Sequence, residues 1–269
     1  MPSMSSLSDF AATAGQWRSW ALMAQQDISL RYKRSVLGPL WISIALGITS
    51  LGVGLLYSAV FGLKATEFIR FLAVGFMTWS FIQALLTEGS AIVVEAAGHL
   101  RSVIIPVPVL AARMVWRNVI VLAHNLVLVL GIIALTYVYE GQDALAGFKP
   151  IALLAALGIL TIAAIGYFLA IVLGPVCARF RDVSQIIANF LQLVFLMTPI
   201  FWRPDQVGER VWIRDWNPFY HVIELVRAPL LGTYPLALNW MVAGGVLAGV
   251  ALLALLALPM TRDRVGLWI

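Results

Sequence analysis

Long apolar runs separated by short polar segments dominate the sequence, and six of these runs are long enough to form membrane-spanning helices. A helix needs about 20 apolar residues to cross the hydrocarbon layer of a bilayer, which is roughly 30 Å thick. The six runs cover approximately residues 37–62, 69–93, 115–138, 150–174, 184–202 and 236–259. They leave little sequence for a separate soluble domain. The pattern therefore predicts an all-α integral membrane protein with six transmembrane helices in a single domain, residues 1–269.

The segment before the first run has a different pattern, with apolar residues at helical spacing and polar residues between them. Residues 7–30 read LSDFAATAGQWRSWALMAQQDISL, which is too polar to cross a membrane. Helices of this kind lie in the membrane–water interface, with their Trp side chains at headgroup depth. We therefore expect an N-terminal amphipathic interface helix over 7–30, and an ordinary surface helix is the alternative. No short apolar core with a small-residue cleavage site is present, so we do not expect a secretory signal peptide.

Residues 203–235, between the fifth and sixth runs, are neither a tight turn nor a plain polar loop. The stretch FYHVIELVRAPLL (219–231) has apolar residues at helical spacing, and Asn217-Pro218 is a typical helix start. The segment is too short and too charged to span the membrane. We expect one or two short re-entrant helices, which are tolerated only where they pack against protein or line water. A peripheral loop helix is the alternative.

Composition supports the membrane assignment. The chain is 61% hydrophobic and 12% charged, with a mean hydropathy of +0.92. A soluble domain typically has about 25% charged residues. The net charge of +5 does not indicate nucleic-acid binding, because the basic residues lie at the edges of apolar runs rather than in one stripe. The lone Cys177 cannot form an intrachain disulfide or a cysteine metal site.

The distribution of Lys and Arg predicts the orientation. A cytoplasmic N-terminus places ten of these residues in cytoplasmic segments and seven in external ones, and the densest group is Arg31, Lys33 and Arg34 before the first run. We therefore expect both termini in the cytoplasm. Cations at headgroup level also attract anionic groups. The group either anchors the first span only or also binds an anionic group.

Four polar side chains within the apolar runs are candidates for function because such groups are costly in a membrane. They are Glu88 in the second run and Arg117, His124 and Asn125 in the third. His124 and Asn125 follow Arg117 by seven and eight residues, which places the three on roughly one helical face. That face either contacts cargo or a gate, or forms hydrogen bonds between helices, for example between Glu88 and Arg117.

Motifs for catalysis or metal binding are missing from the sequence. It contains no G-x-x-x-x-G-K-[ST] phosphate-binding loop. The three histidines fall in different segments without metal-ligand spacing, and no carboxylates cluster. We therefore expect no catalytic residue, no metal and no cofactor in this chain.

Four stretches resemble a known family: RYKRSVLGPLW (31–41), FLAVGFMTWSFIQALLTEG (71–89), MVWRNVIVLAHNLV (114–127) and NPFYHVIELVRAPLLG (217–232). They are similar to the permease subunits of ABC-2 type exporters, and most similar to the branch that exports lipid-linked polysaccharides such as O-antigen, capsule or teichoic-acid-like polymers. The resemblance covers nearly the whole chain in order. The alternatives are an ABC-2 permease for a drug or small lipid, or a membrane enzyme of polyprenyl-linked sugar metabolism.

The resemblance implies a homodimer in the bacterial inner membrane, paired with two copies of a separate ATPase that holds ATP and Mg²⁺. The chain would be a transport subunit of lipopolysaccharide biosynthesis rather than an enzyme. It also implies that residues 94–108 contact the ATPase, with Glu95, His99 and Arg101 as candidates, and that 203–235 form a periplasmic gate. The gate candidates are Asn217, His221, Glu224 and Arg227. For the lipid-linked substrate that the resemblance implies, the group Arg31, Lys33 and Arg34 would also hold the pyrophosphate at the entry. A channel for the glycan would be lined by the aromatic residues Trp41, Tyr57, Phe61, Phe190, Phe195, Phe201 and Trp202.

Overall fold

The computed structural model describes residues 6–33, 35–38, 40–96, 105–204 and 212–261. Within these ranges the protein is helical and contains no strand. The helices are α1 (Ser6–Gly15), α2 (Trp17–Arg31), α3 (Leu40–Phe61), α4 (Ala65–Glu95), α5 (Val107–Tyr139), α6 (Leu154–Arg179), α7 (Asp182–Met197), α8 (Trp212–Asp215), α9 (Pro218–Leu230) and α10 (Ala237–Thr261). A 3₁₀ turn, Pro150–Leu153, leads into α6.

Five helices in the described ranges are long and apolar enough to cross a membrane: α3, α4, α5, α6 with its preceding turn, and α10. They match five of the six predicted spans. The remaining predicted span, 184–202, corresponds to α7, which has 16 residues. A helix of that length rises about 24 Å, less than the thickness of the hydrocarbon layer. It ends at Thr198, which precedes Pro199 and has an extended backbone with ψ of 137°. A proline disfavours helical backbone in the residue before it.

The predicted interface helix is two helices, α1 and α2. The chain leaves helical geometry at Gln16, which has φ of −94° and ψ of 21°. The indole Nε1 of Trp20 then donates to the carbonyl of Thr13 across the break, at 2.9 Å. α1 packs against α5 and α10, and α2 packs against α5. The break lets each short helix follow the surface of the bundle in its own direction.

Helix α4 is the centre of the bundle. Of the 18 residues in its most apolar stretch, 72% are buried, against 22% in α3 and 17% in α10. It packs mainly against α6, α5 and α3. α3 and α10 are therefore peripheral, and most of their apolar surface faces away from the protomer.

Glycines on α6 bring its neighbours unusually close. A Cβ on Gly158 would lie 2.5 Å from the carbonyl oxygen of Leu225 on α9. A Cβ on Gly166 or Gly174, farther along the same helix, would lie 2.7 Å from a side chain of α4. The contact at Gly158 requires glycine, since a real Cβ essentially never approaches a backbone atom this closely. α9 therefore packs directly against the backbone of α6.

Candidate functional site

A charged network lies where α2 crosses α5. Asp27 of α2 accepts two hydrogen bonds from Arg113 of α5, one of them from Nε to Oδ2 at 2.7 Å and the other from Nη2 to Oδ1. It also accepts one from Nη1 of Arg117 at 3.3 Å. The two arginines are one helical turn apart, so they project from the same side of α5. This arrangement fixes α2 to α5 through charge-assisted hydrogen bonds.

Glu88 of α4 extends the network to a third helix. Its carboxylate accepts from Arg117 Nη2 at 2.7 Å, from Arg117 Nε at 3.2 Å and from Asn118 Nδ2 at 2.7 Å. Arg31, the last residue of α2, donates to its other oxygen at 3.2 Å. The expected pair of Glu88 and Arg117 is therefore present. We refer to Asp27, Arg31, Glu88, Arg113 and Arg117 as the charged network.

The electrostatics of the network favour its ionised form. Burial would raise the pKa of Asp27, but the hydrogen bonds and charges of Arg113 and Arg117 outweigh burial and hold that pKa below its ordinary value of 3.8. Arg117, whose side chain is 10% exposed, also lies 3.9 Å from the half-exposed Glu95 at the end of α4. A small cavity between Glu95 and the two α5 arginines adjoins the network. The network thus lies next to the predicted ATPase-contact segment.

A second ionic cluster ties α4 to α5 at the opposite end of α5. Glu140 accepts from Thr66 and from Nη2 of Arg70, the latter at 3.3 Å, and Lys64 lies 3.2 Å away. The Thr66 hydroxyl, the lysine and Arg70 lower the pKa of Glu140. The guanidinium of Arg70 also lies 4.2 Å from the ring centroid of Tyr137. α4 and α5 are therefore fixed to each other near both ends.

The predicted gate residues hold α9 inside the bundle. Asn217 caps α9, since its Oδ1 accepts from the backbone N–H of Phe219 at 3.0 Å and its Nδ2 donates to Thr198 Oγ at 3.0 Å. His221 is buried, with Nδ1 2.8 Å from Asn239 Oδ1 of α10 and Nε2 2.9 Å from the carbonyl of Asp215. These contacts join α9 to the end of α7, to α10 and to α8.

Arg227 is a fully buried cation near the other end of α9. Its Nε donates to Glu224 at 2.8 Å, its Nη1 donates to the Pro199 carbonyl at 2.6 Å, and its guanidinium lies 4.0 Å from the Phe71 ring centroid. The guanidinium of Arg227 thus donates to a carboxylate on α9 itself and to a backbone carbonyl just beyond α7. α9 is buried within the protomer over most of its length, whereas its re-entrant position in the membrane remains a prediction.

The model of the ABC-2 type transporter family matches residues 18–231, from α2 to the end of α9. The chain belongs to the ABC-2 type transporter family. An "O-antigen export system permease protein RfbA" of Klebsiella pneumoniae is 25% identical over 207 residues, covering 75% of this chain and 76% of that protein. A second K. pneumoniae protein with that name is 22% identical over 203 residues, with the same coverage. One of Myxococcus xanthus is 26% identical over 184 residues, covering 67% of this chain and 66% of that protein.

The cationic group of this ABC-2 protein is only partly free. Arg31 pairs with Glu88, although its side chain remains 45% exposed, and Lys33 is exposed. Arg34 lies outside the described residues, as do the ATPase-contact candidates His99 and Arg101. Their proposed roles therefore remain predictions.

Of the two polar residues in the middle of α5, Asn125 connects two helices and His124 contacts its own helix. Asn125 is buried, and its Oδ1 accepts from Ser43 Oγ of α3 at 2.7 Å. His124 is half-buried, with Nδ1 2.7 Å from the carbonyl of Ile120 in its own helix. The contact of Asn125 corresponds to the interhelical alternative. A role of this face in contacting cargo or a gate remains a prediction.

The seven predicted channel aromatics do not share one surface. Trp41, Phe61 and Phe190 are more than half exposed. Tyr57 is partly buried against Phe68 of α4. Two more lie inside the protomer, where Phe195 packs 4.7 Å from Phe201, between ring centroids, and stacks on Trp79 at 5.4 Å.

A groove of 610 Å³ joins Phe190 to Trp202, the last of the seven. Two further aromatic residues, Trp212 and Trp216, line this groove and are 61% and 85% exposed. The sequence analysis did not single them out, because both precede the recognisable helix at Asn217. Their spacing of four residues is the only signal that would have placed them on one side of a turn.

Asp27 is the other functional candidate that the sequence analysis missed. Asp27 belongs to the predicted interface helix, where a carboxylate is already solvated and needs no partner. Arg113 lies among charges at the edge of an apolar run, where topology alone explains a cation. The signal for this network was the spacing of Arg113 and Arg117, which places two cations on one side of α5. A carboxylate that pairs with both must come from another segment.

Proposed function

We propose that this chain is the permease subunit of an ABC exporter that moves a lipid-linked polysaccharide, an O-antigen-like glycan on polyprenyl pyrophosphate, across the bacterial inner membrane. One observation carries the proposal: three proteins named as O-antigen export permeases match this ABC-2 chain over two thirds of its length or more. The five long apolar helices fit a multi-pass membrane subunit.

The proposed assembly contains two copies of this chain and two copies of a separate ATPase that binds ATP and Mg²⁺. A partner ATPase is supported by membership of the ABC-2 family and by the lack of a phosphate-binding loop in this sequence. Both termini lie in the cytoplasm, α7 with the residues after it forms the sixth span, and α9 is a re-entrant helix. The exposed apolar faces of α3 and α7 are available for the second copy and for lipid.

The charged network supplies a route for transmitting ATPase closure. The contact segment, residues 94–108, begins at the end of α4 and runs into the start of α5. Both helices bear members of the network, and the network holds α2. A displacement of the segment therefore moves α4, α5 and α2 together. Because Arg31 and Lys33 lie at the end of α2, this movement shifts the cations that would hold the lipid pyrophosphate at a lateral opening.

Deletion of the gene in the source bacterium tests the proposal. Surface glycan should disappear and its lipid-linked precursor should accumulate on the cytoplasmic side, and both effects should be reversed by the intact gene. A strain whose partner ATPase lacks its phosphate-loop lysine is the matched control, and it should show the same defect. Unchanged surface glycan together with increased drug sensitivity would instead identify a small-molecule exporter.

A further inference from the structure

Helix α7 has side-chain amides on its exposed face. We propose that Gln185, Asn189 and Gln192 form a hydroxyl-binding track along which the exported glycan passes. This inference rests on the proposed function, because the glycan supplies the ligand chemistry. It adds to that function the residues that contact the sugar units.

The geometry of α7 separates the amides from the packed side of the helix. Leu191 and Val194 are 1% and 9% exposed and pack against the bundle. At about 100° per residue, the three amides lie on the opposite side, and all three are exposed. They are spaced four and three residues apart, so they form one stripe about 10 Å long.

This stripe is incompatible with contact to lipid tails. Gln185 Nε2 donates to Asn189 Oδ1 at 3.1 Å, which leaves most of their hydrogen-bonding groups open. In the part of the chain that the structure describes, the side chain of Gln192 forms no hydrogen bond. Amide groups without partners are costly in hydrocarbon, so this side of α7 must face water or a polar ligand.

The other edge of the exposed face is apolar and marks the contrast. Ile186 and Leu193 are each 63% exposed and lie beside the amides, about one third of a turn away. This edge can face lipid tails or a second copy without cost. The exposed face of α7 is therefore divided lengthwise into a polar edge and an apolar edge.

The chemistry of the track matches a polyhydroxylated, uncharged polymer. A carboxamide offers both donors and acceptors, as a sugar hydroxyl does, and it brings no charge that would trap a moving chain. No ionised side chain lies between Asp182 and the end of α7. Leu196, one turn beyond Gln192 on the same side of α7, lines the groove of 610 Å³ together with Trp202 and Trp216, whose ring faces suit the apolar C–H surfaces of sugars.

The lone buried cysteine of this protein makes a labelling experiment direct. In a Cys177→Ala background, Asn189→Cys and Gln192→Cys should react with a charged, membrane-impermeant methanethiosulfonate reagent. The complex of the permease with its ATPase is used. We expect rates at least about tenfold above those of the matched controls Ile186→Cys and Leu193→Cys, because only a hydrated thiol ionises and reacts. Equal rates on both edges would overturn the proposal.

Export by the same complex gives the second readout. Gln185→Leu/Asn189→Leu/Gln192→Leu should lower polymer export at least about fivefold at normal assembly, whereas Ile186→Leu should not, since only the former removes hydroxyl partners. Asn189→Gln, which keeps the amide, should retain export.

Full export by the triple variant would overturn the track while leaving the proposed function intact. Failure of the unmodified gene to restore surface glycan in the deletion strain would refute the proposed function itself. If the triple variant does not assemble, the labelling rates decide.

Discussion

Removing the charge of Asp27 should release α2 from the bundle. In Asp27→Asn the amide can replace at most part of the pairing, which consists of two hydrogen bonds from Arg113 and one from Arg117. Hydrogen bonds to charged groups contribute about 1.5–3 kcal/mol each. The side chains of Asp27 and Arg113 are only 15% and 21% exposed, so water replaces the lost partner incompletely.

We expect a loss of about 2–3 kcal/mol in the free energy that holds α2 in place, between the values for surface and for buried pairs. This corresponds to a rise of roughly 30- to 150-fold in the fraction of time that α2 is detached. Hydrogen exchange of the amides in α2, measured by mass spectrometry with the protein in lipid nanodiscs, reports this opening directly. Gln26→Ala on the exposed side of α2 is the matched control and should leave the exchange unchanged.

A double-mutant cycle tests the assigned partner. Arg113→Gln alone should also speed exchange, and the double variant Asp27→Asn/Arg113→Gln should be less damaging than the sum of the two changes by about 1 kcal/mol or more. Exact additivity would refute the pairing. Unchanged exchange in Asp27→Asn would refute the network as the anchor of α2.

Three further predictions follow from the structure. The protection of α2 against exchange, corrected for the intrinsic pH dependence of amide exchange, should be constant from pH 5 to 8, since the folded pKa of Asp27 is below 3.8 and the stabilisation is lost only as pH falls through that folded value; a transition near pH 6 would contradict it. Gly158→Ala should lower the melting temperature in detergent because its Cβ would clash with the Leu225 carbonyl oxygen, whereas Gly131→Ala has open space and should be neutral or stabilising. Asn217→Ala should cost about 1–2 kcal/mol by removing the cap of α9, and Asn217→Ser should recover part of that loss in the same thermal assay.

The spans were predictable from sequence because hydrocarbon imposes a length and a composition on any helix that crosses it. Two departures depend on local backbone chemistry instead. The break at Gln16 is preceded by no proline and by no interruption of the apolar pattern. The end of α7 at Thr198 reflects the restriction that Pro199 imposes on the backbone of the residue before it. The predicted span 184–202 rests on the number of apolar residues. That number measures hydrophobicity and not backbone geometry, so it cannot reveal the restriction at Thr198.

The candidate site was predictable only where a polar group had to find a partner within the membrane. Glu88 and Arg117 met that condition, and their pairing was expected. Asp27 did not, because a carboxylate on an interface helix is already solvated and no spacing rule links it to α5. Its role depends on the angle at which α2 crosses the bundle, which is a tertiary property.

The positions of the two ionic clusters explain how a small displacement could act over a long distance. α4 and α5 have 31 and 33 residues, so each is about 46–50 Å long and exceeds the roughly 30 Å hydrocarbon layer. They are fixed to each other by Arg70 and Glu140 at one end and by Glu88 and Arg117 near the other. Two rods joined twice resist shearing, so a push on the segment between them tilts both together. Because Asp27 fastens α2 to the same pair, the tilt must carry α2 with it or break the strongest hydrogen bonds in the network.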